Sequence, residues 1–442
     1  NCLQVTNNKK QSTMKKFIYI LLAAAAAFTA CKKDESAKVN DVTVQVLIDN
    51  EPVTDAVEVT VTDKSSSTAY KATTVNGTAT FQLVAGIYEA SATLYKESSV
   101  YNGTNSSVTV VDGGANAFTL NLAESTTSQV IIKELYFGGC MDNEGANEYK
   151  YGKYVILYNN SPVEADASKY TLAMSNPANA HATNNFLKDG ALSYTDYIPA
   201  WTAVWWFQNK VKIAPYSQIV ISITGAIDHT KTYTNSVDLS NADYVLYDPE
   251  VFNHPLMYPA PSSSINPANY LKTYCYGMGN GWGLSNDSPA FFVFCPEGTT
   301  AKDFVTNTDN IISPTGKPAF NCAKIPLAWV KDGVEVFDNA NLQKSNKRLL
   351  DSVDAGYIGF TNKSGYTIYR NVDKEATEAL AENEGKLVYN YAGGTETLEG
   401  GSTDPSGIDA EASIAKGAHI IYKDTNNSRN DFHQRKVASI KK

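Results

Sequence analysis

Between residues 41 and 122 apolar side chains recur at every second position. Val42, Val44 and Val46 are followed by Val57, Val59 and Val61, then Ala79, Phe81 and Leu83, then Tyr88, Ala90, Ala92 and Leu94. Val108 with Val110, and Phe118 with Leu120 and Leu122, complete the series. A period of two puts alternate side chains on one face of a strand, and no helix keeps such a pattern on one side. Turn residues interrupt it at Pro52, at Asn76-Gly77 and at Gly86. Asn-Gly between alternating runs is a strong short hairpin signal. Strands of this length with turns every 8–12 residues predict a small antiparallel β-sandwich over 41–124.

The run "GTATFQLVAGIYEA" carries Gly77, Ala79, Phe81, Leu83, Gly86 and Tyr88 at the spacing of prealbumin-like, carboxypeptidase-regulatory and collagen-adhesin B-type repeats, which it resembles. The resemblance implies a stalk or spacer module without a catalytic set. Glu124 to Ser128 is a polar hinge, and 129–442 is expected to form a larger β-domain.

That larger part resembles the lamin-tail domain, an immunoglobulin-like β-fold. Glu134, Tyr154, Ile156, Tyr158, Asn159, Ser161, Tyr170 and Leu172 stand at its pattern positions. "KIAPYSQIVISI" and "GWGLSNDSPAFFVFCPEG" continue the likeness, while Asp166 departs from it. Residues 225–244 and 422–432 resemble signature segments of a lipoprotein family, domain-of-unknown-function 4876. That family implies an architecture and no activity. The expected fold is therefore all-β: a small sandwich, then a lamin-tail-like domain with long loop insertions. Residues 373–416 begin with one short helical stretch and continue as a Gly/Thr/Ser/acidic run, which predicts a mobile surface insertion.

The address lies upstream. Met14, Lys15 and Lys16 precede an uncharged run from Phe17 to Ala27, then Thr29, Ala30 and Cys31. Positive charge, a short apolar stretch and small residues define a secretory signal at 14–30. The run falls short of the roughly 20 apolar residues a membrane span requires. It resembles the bacterial lipobox, which implies lipidation of Cys31 and a tether over 31–40. Lys33-Asp34-Glu35 resembles the export tag of surface lipoproteins, so an outer-membrane, surface-exposed protein is expected, with a periplasm-facing anchor as the alternative. Residues 1–13 are polar and read as an upstream extension from a mis-called start.

The chain has 37 basic and 46 acidic residues. Removing the first 30 residues takes away Lys9, Lys10, Lys15 and Lys16 and no acid, so 33 bases face 46 acids, a net charge of −13. Such a balance excludes nucleic acid as a partner and leaves the lipid as the route to a membrane. Cys140, Cys275, Cys295 and Cys322 show no zinc spacing. An exported chain permits disulfides among them, and buried free thiols fit equally.

Trp201, Trp205 and Phe207 fall on one face if "WTAVWWFQN" is a single strand, a candidate platform for a sugar or partner. Core packing is the competing role, because Trp and Phe are the largest apolar side chains. Asp424, Asn426, Ser428 and Asp431 alternate oxygen ligands of the kind hard Ca²⁺ accepts, and so does "DNEGANE" at 142–148. Asx-turns explain both clusters with no ion and no cofactor. Asp228-His229 lacks a nucleophile motif, and the glycines at 277, 279, 281 and 283 lack the Lys-Ser/Thr of a phosphate loop. No catalytic set is assigned. The expected function is non-enzymatic binding of a glycan or protein partner at the cell surface, or an accessory envelope role. A carbohydrate-active or phosphoester hydrolase and a purely structural protein are the alternatives.

Overall fold

A computed structural model describes residues 38–441 apart from 67, 97–98, 126 and 399–400. Cys31, the signal segment 14–30, residues 1–13 and the tether to residue 37 lie outside the described residues. The chain is all-β, as expected.

The sandwich comprises β1 (Val39–Ile48), β2 (Glu51–Pro52), β3 (Glu58–Asp63), β4 (Ala69–Thr73), β5 (Thr78–Val84), β6 (Gly86–Lys96), β7 (Ser99–Val110) and β8 (Ala117–Ser125). The alternating residues form its core: Val44, Val59, Ala79, Tyr88, Val108 and Leu120 are all buried. Most pairs are antiparallel, but β1 runs parallel to β8, from Thr43 opposite Ala117 to Ile48 opposite Leu122.

Asn76 and Gly77 both adopt left-handed backbone, with φ of 51° and 76°, the geometry of a two-residue I′ turn. The strands they join do not form a hairpin beyond the single Val75–Thr78 bridge. β4 pairs with β3, and β5 pairs with β1, so the turn carries the chain from one sheet to the other. A Cβ at position 77 would lie 2.9 Å from Pro52 Cβ and 3.0 Å from the Val53 carbonyl oxygen. Gly77→Ala is therefore expected to lose about 1–3 kcal/mol. Urea denaturation followed by circular dichroism checks this; an unchanged midpoint would contradict it.

The larger domain is built on one continuous twelve-stranded path from Ile358–Phe360 to Phe432–Arg435. The path curls until its parts meet. Val130–Tyr136 and Val330–Asp338 approach so closely that the Ile132 N–H donates to Asp332 at 2.6 Å. Inside lies one core, with Val155, Leu157 and Ile221 facing Leu172, Trp205 and Phe291.

Every residue of Val130–Tyr136 and of Lys153–Asn159 is buried. Strands buried on both faces need a second layer outside. Ile408, Ala410, Ile420 and Tyr422 supply it, packing on Ile131, Tyr158 and Tyr369. This corrects the expectation of a mobile insertion at 373–416. The segment does start with a short helix, Lys374–Glu378, but its polar residues are then used for capping. Asp404 accepts the Val372 N–H at 2.9 Å, and Asp409 caps the helix Ala410–Ala415. These caps free Ile408 and Ala410 to cover the sheet, which composition alone does not reveal.

The sandwich is also not a free spacer. Arg429 pairs with Glu89 of β6 at 2.5 Å and donates to Thr62 of β3 at 3.0 Å. Asn430 donates to Thr93 at 3.1 Å, and the Asn102 amide donates to the Thr425 carbonyl. The module expected to hold the larger domain away from the membrane is docked along its side.

Candidate binding face at Trp201

The proposed platform does not survive as a unit. Trp205 is 0% exposed and Phe207 7%, so neither ring presents a face to solvent. Trp205 packs against Phe252, Tyr258 and Trp282 inside the main core. The physical reason is a change of sheet. Tyr197–Trp201 pairs with Cys322–Pro326, whereas Ala203–Trp206 pairs with Thr171–Met174 and Tyr270–Cys275. Counting alternate positions across Thr202 joins two strands that do not share a face.

Trp201 is the member that stays half-exposed. Its indole Nε1–H donates to the Ala319 carbonyl at 3.1 Å, which orients the ring. Phe320, 40% exposed, lies in a nearly parallel plane, 10° away, with ring centroids 6.4 Å apart. Behind it, the Trp282 indole donates to the Trp201 carbonyl at 2.9 Å. The glycine-rich turn closes the rim. A Cβ on Gly277 would sit 2.6 Å from Thr202 Cβ, so only glycine lets the turn press this close. The Asn321 amide then donates to the Tyr276 carbonyl at 3.2 Å, holding the Phe320 segment to the turn. Met278 follows in that turn, 64% exposed. Trp201 and Phe320 form a stacked apolar pair, and the turn that carries exposed Met278 and Asn280 is held against Thr202 and Asn321. Phe320 carried no signal in the sequence, because it reaches the site from 119 positions away and only through strand pairing.

The oxygen-rich loop serves a different purpose. Asp424 lies 3.3 Å and Asp431 3.8 Å from the buried guanidinium of Arg370, which also pairs with Asp332 at 2.5 Å. Burial raises Asp332 to about 7 and Asp431 to about 6, opposed by Arg370. The Asp431 carboxylate accepts from the Thr425 and Asn427 N–H groups. Ser428 donates its hydroxyl to Asp354, itself raised to about 7 by burial. The Asn426 carbonyl accepts from the Ala355 N–H at 2.7 Å. Protein donors thus occupy the oxygens that calcium would need. Among the described residues no group of three or more His, Cys, Asp or Glu is placed to hold a metal. In "DNEGANE" the Asp142 carboxylate accepts from the Ala146 and Asn147 N–H groups, closing the loop on itself.

His229 is buried between the Tyr149 hydroxyl and the Gly225 carbonyl, each 2.6 Å from a ring nitrogen, and burial lowers its pKa. Asp228 caps the turn by accepting from Thr230, so the pair forms no catalytic dyad. Cys140, Cys275, Cys295 and Cys322 are all free thiols. A cleft of about 500 Å³ is lined by Glu124, Asp196 and Asp332. Asp332 is held there by Arg370 and by the Ile132 and Gly333 N–H groups.

Residues 214–391 match the family described as "Protein of unknown function (DUF4876)". The fold is similar to the crystal structure of a DUF4876 family protein from Bacteroides thetaiotaomicron. The two chains share 22% identity over 89% of this chain and 94% of that one, with a TM-score of 0.50. The Bacillus anthracis TIE protein matches at 10% identity over 59% of this chain and 46% of its own, TM-score 0.14. BcpA, the major pilin subunit of Bacillus cereus, matches at 12% identity over 67% and 95%, TM-score 0.15. No curated protein matches the chain.

Proposed function

With residues 214–391 belonging to the DUF4876 family, we propose that this protein is a lipid-anchored envelope protein that binds a glycan without chemical turnover. The observation that carries the reading is the half-exposed Trp201 beside Phe320, held rigid by backbone hydrogen bonds. Flat aromatic rings accept the apolar faces of sugar rings, and rigid aromatics lose little entropy on binding. Trp201 and Phe320 present uncharged rings, with exposed Lys317 at the start of the turn that carries Phe320. The Arg370-bound Asp332 of the cleft and the buried His229 favour binding over hydrolysis. Anchoring follows from the lipobox-like Cys31.

Affinity electrophoresis in native gels containing soluble neutral polysaccharides tests this. At least one polysaccharide is expected to retard the protein, and Trp201→Ala or Phe320→Ala to weaken the apparent affinity by about ten-fold, or about 1.4 kcal/mol. The melting temperature of each variant shows that the fold persists. Retardation that survives both substitutions, or retardation by none of the panel, would reject the reading.

A further inference from the structure

Among the described residues four basic side chains are buried: Lys133, Lys153, Arg348 and Arg370. Three of them hold a carboxylate. Lys133 pairs with Glu411 at 2.7 Å, Arg348 with Glu335 at 2.6 Å and Arg370 with Asp332 at 2.5 Å. Lys153 is in no ion pair; its Nζ donates to the Leu284 carbonyl and to the side-chain oxygen of Asn286. An ammonium taken out of water without a counter-ion is strongly disfavoured. Burial accordingly lowers the Lys153 pKa to about 7, and Lys150 adds to the shift. A large share of this side chain is therefore a neutral amine near neutral pH, the nucleophilic form of lysine.

The fold holds that amine on its contact from both sides. Lys153 opens the strand Lys153–Asn159, and a register shift between Lys153 and Tyr154 marks a bulge against Gln218–Thr224. Bulges re-aim side chains. The Lys153 N–H donates to Thr224 Oγ1 at 3.1 Å, which fixes the backbone there. Asn286 sits in a turn closed by its neighbour: Ser285 Oγ accepts from the Asp287 and Ser288 N–H groups, each at 3.0 Å, and its hydroxyl donates to Asn179. The carbon that an amine would attack is bonded to the oxygen that Lys153 Nζ already touches. Two groups held in contact react without the cost of an encounter.

We propose that Lys153 and Asn286 condense into an intramolecular isopeptide bond. The amine attacks Asn286 Cγ, the Nζ–Cγ bond forms and the Cγ–Nδ2 bond breaks. One amine proton passes to the leaving nitrogen, which departs as ammonia. A primary amine and a primary amide thus become a secondary amide and ammonia, with no oxidant, metal or nucleotide consumed. Asp287, next in sequence and close enough to act on Lys153 electrostatically, offers a carboxylate to relay the proton. Asn286 and Asp287 are half-buried, so ammonia can reach solvent. Asn286 leads into Ala290–Phe294, third along the twelve-stranded path, whereas Lys153–Asn159 is ninth. The bond ties these distant strands covalently in a domain whose four described cysteines are free thiols.

Mass spectrometry of the purified chain tests this. The intact mass is expected to be one ammonia below that of the sequence from its observed N-terminus. Trypsin, which does not cut after an acylated lysine, is expected to yield a branched peptide joining residues 151–169 to 273–302. Lys153→Arg and Asn286→Ala are each expected to restore the full mass and to run more slowly in denaturing gels. Recovery of Lys153 and Asn286 in separate linear peptides from a chain of full mass overturns the proposal, and the lysine is then a neutral amine held by two carbonyls. A deficit that persists in Lys153→Arg, or that maps to a succinimide at Asn76-Gly77 or Asn280-Gly281, overturns it as well. The parent digest decides the matter even if a variant does not fold.

Discussion

Arg370→Met is expected to cost about 3–5 kcal/mol at pH 8, enough to unfold much of the population. Three buried carboxylates, Asp332, Asp424 and Asp431, share that one guanidinium, and its Nε–H also donates to the Ile132 carbonyl at 2.7 Å. Methionine fills similar volume but leaves the acids without a cation. The deficit should depend on pH in one direction. Desolvation raises Asp332 from its ordinary 3.8 to about 7 even with Arg370 present, and Asp431 to about 6. The folded chain therefore holds protons that an unfolded chain releases near pH 4. Stability from these acids is fullest below that pH and declines as pH rises through 6 and 7. Without Arg370 the carboxyls rise further and stay neutral at pH 5, so the deficit shrinks there. Urea midpoints of variant and parent at pH 5 and pH 8 decide it. A deficit equal at both pH values, or below about 1 kcal/mol, would show that the cluster does not depend on its cation.

Trp205→Ala is expected to lose about 3–5 kcal/mol, the range for emptying a large aromatic site in a core. Its ring is surrounded by Phe252, Tyr258 and Trp282, side chains fixed on two other segments, so the cavity has little means of collapse. Trp201→Ala, at a half-exposed site, should leave the denaturation midpoint far closer to that of the parent. The two tryptophans, four positions apart, thus separate stability from the proposed binding. Denaturation of both variants under one set of conditions checks the contrast; equal losses would place Trp201 in the core as well.

The sandwich was legible because its core is one-sided. Val42, Val44 and Val46 alternate with polar residues, and the pattern survives in the fold. The pairing across Asn76-Gly77 was not, since the turn has the conformation expected of the dipeptide but the strands find partners in different sheets. In the larger domain Val130–Tyr136 is buried on both sides, so alternation carries no information about facing. The break at Thr202 has no marker in composition, and it undid the grouping of Trp201 with Trp205 and Phe207. Asp424 and Asp431 were legible as turn formers. Their partner Arg370 lies in a strand 54 positions before Asp424 and comes into range only when Thr367–Arg370 pairs with both Val130–Tyr136 and Phe432–Arg435. Met278 could have been singled out as an apolar side chain within a glycine run, whereas Phe320 required the strand pairing of Cys322–Pro326 with Tyr197–Trp201.

The glycan binding proposed at Trp201 has a direct reporter in the five tryptophan indole N–H groups. In ¹H–¹⁵N spectra, each is assigned by its Trp→Phe variant, and the protein is titrated with a soluble oligosaccharide fragment of whichever polysaccharide retards it. The Trp201 indole, next to Phe320 on the exposed face, is expected to shift progressively to saturation, while the buried Trp205 and Trp282 indoles stay within line width. A fragment that saturates the protein with the Trp201 resonance unmoved would contradict binding at this face.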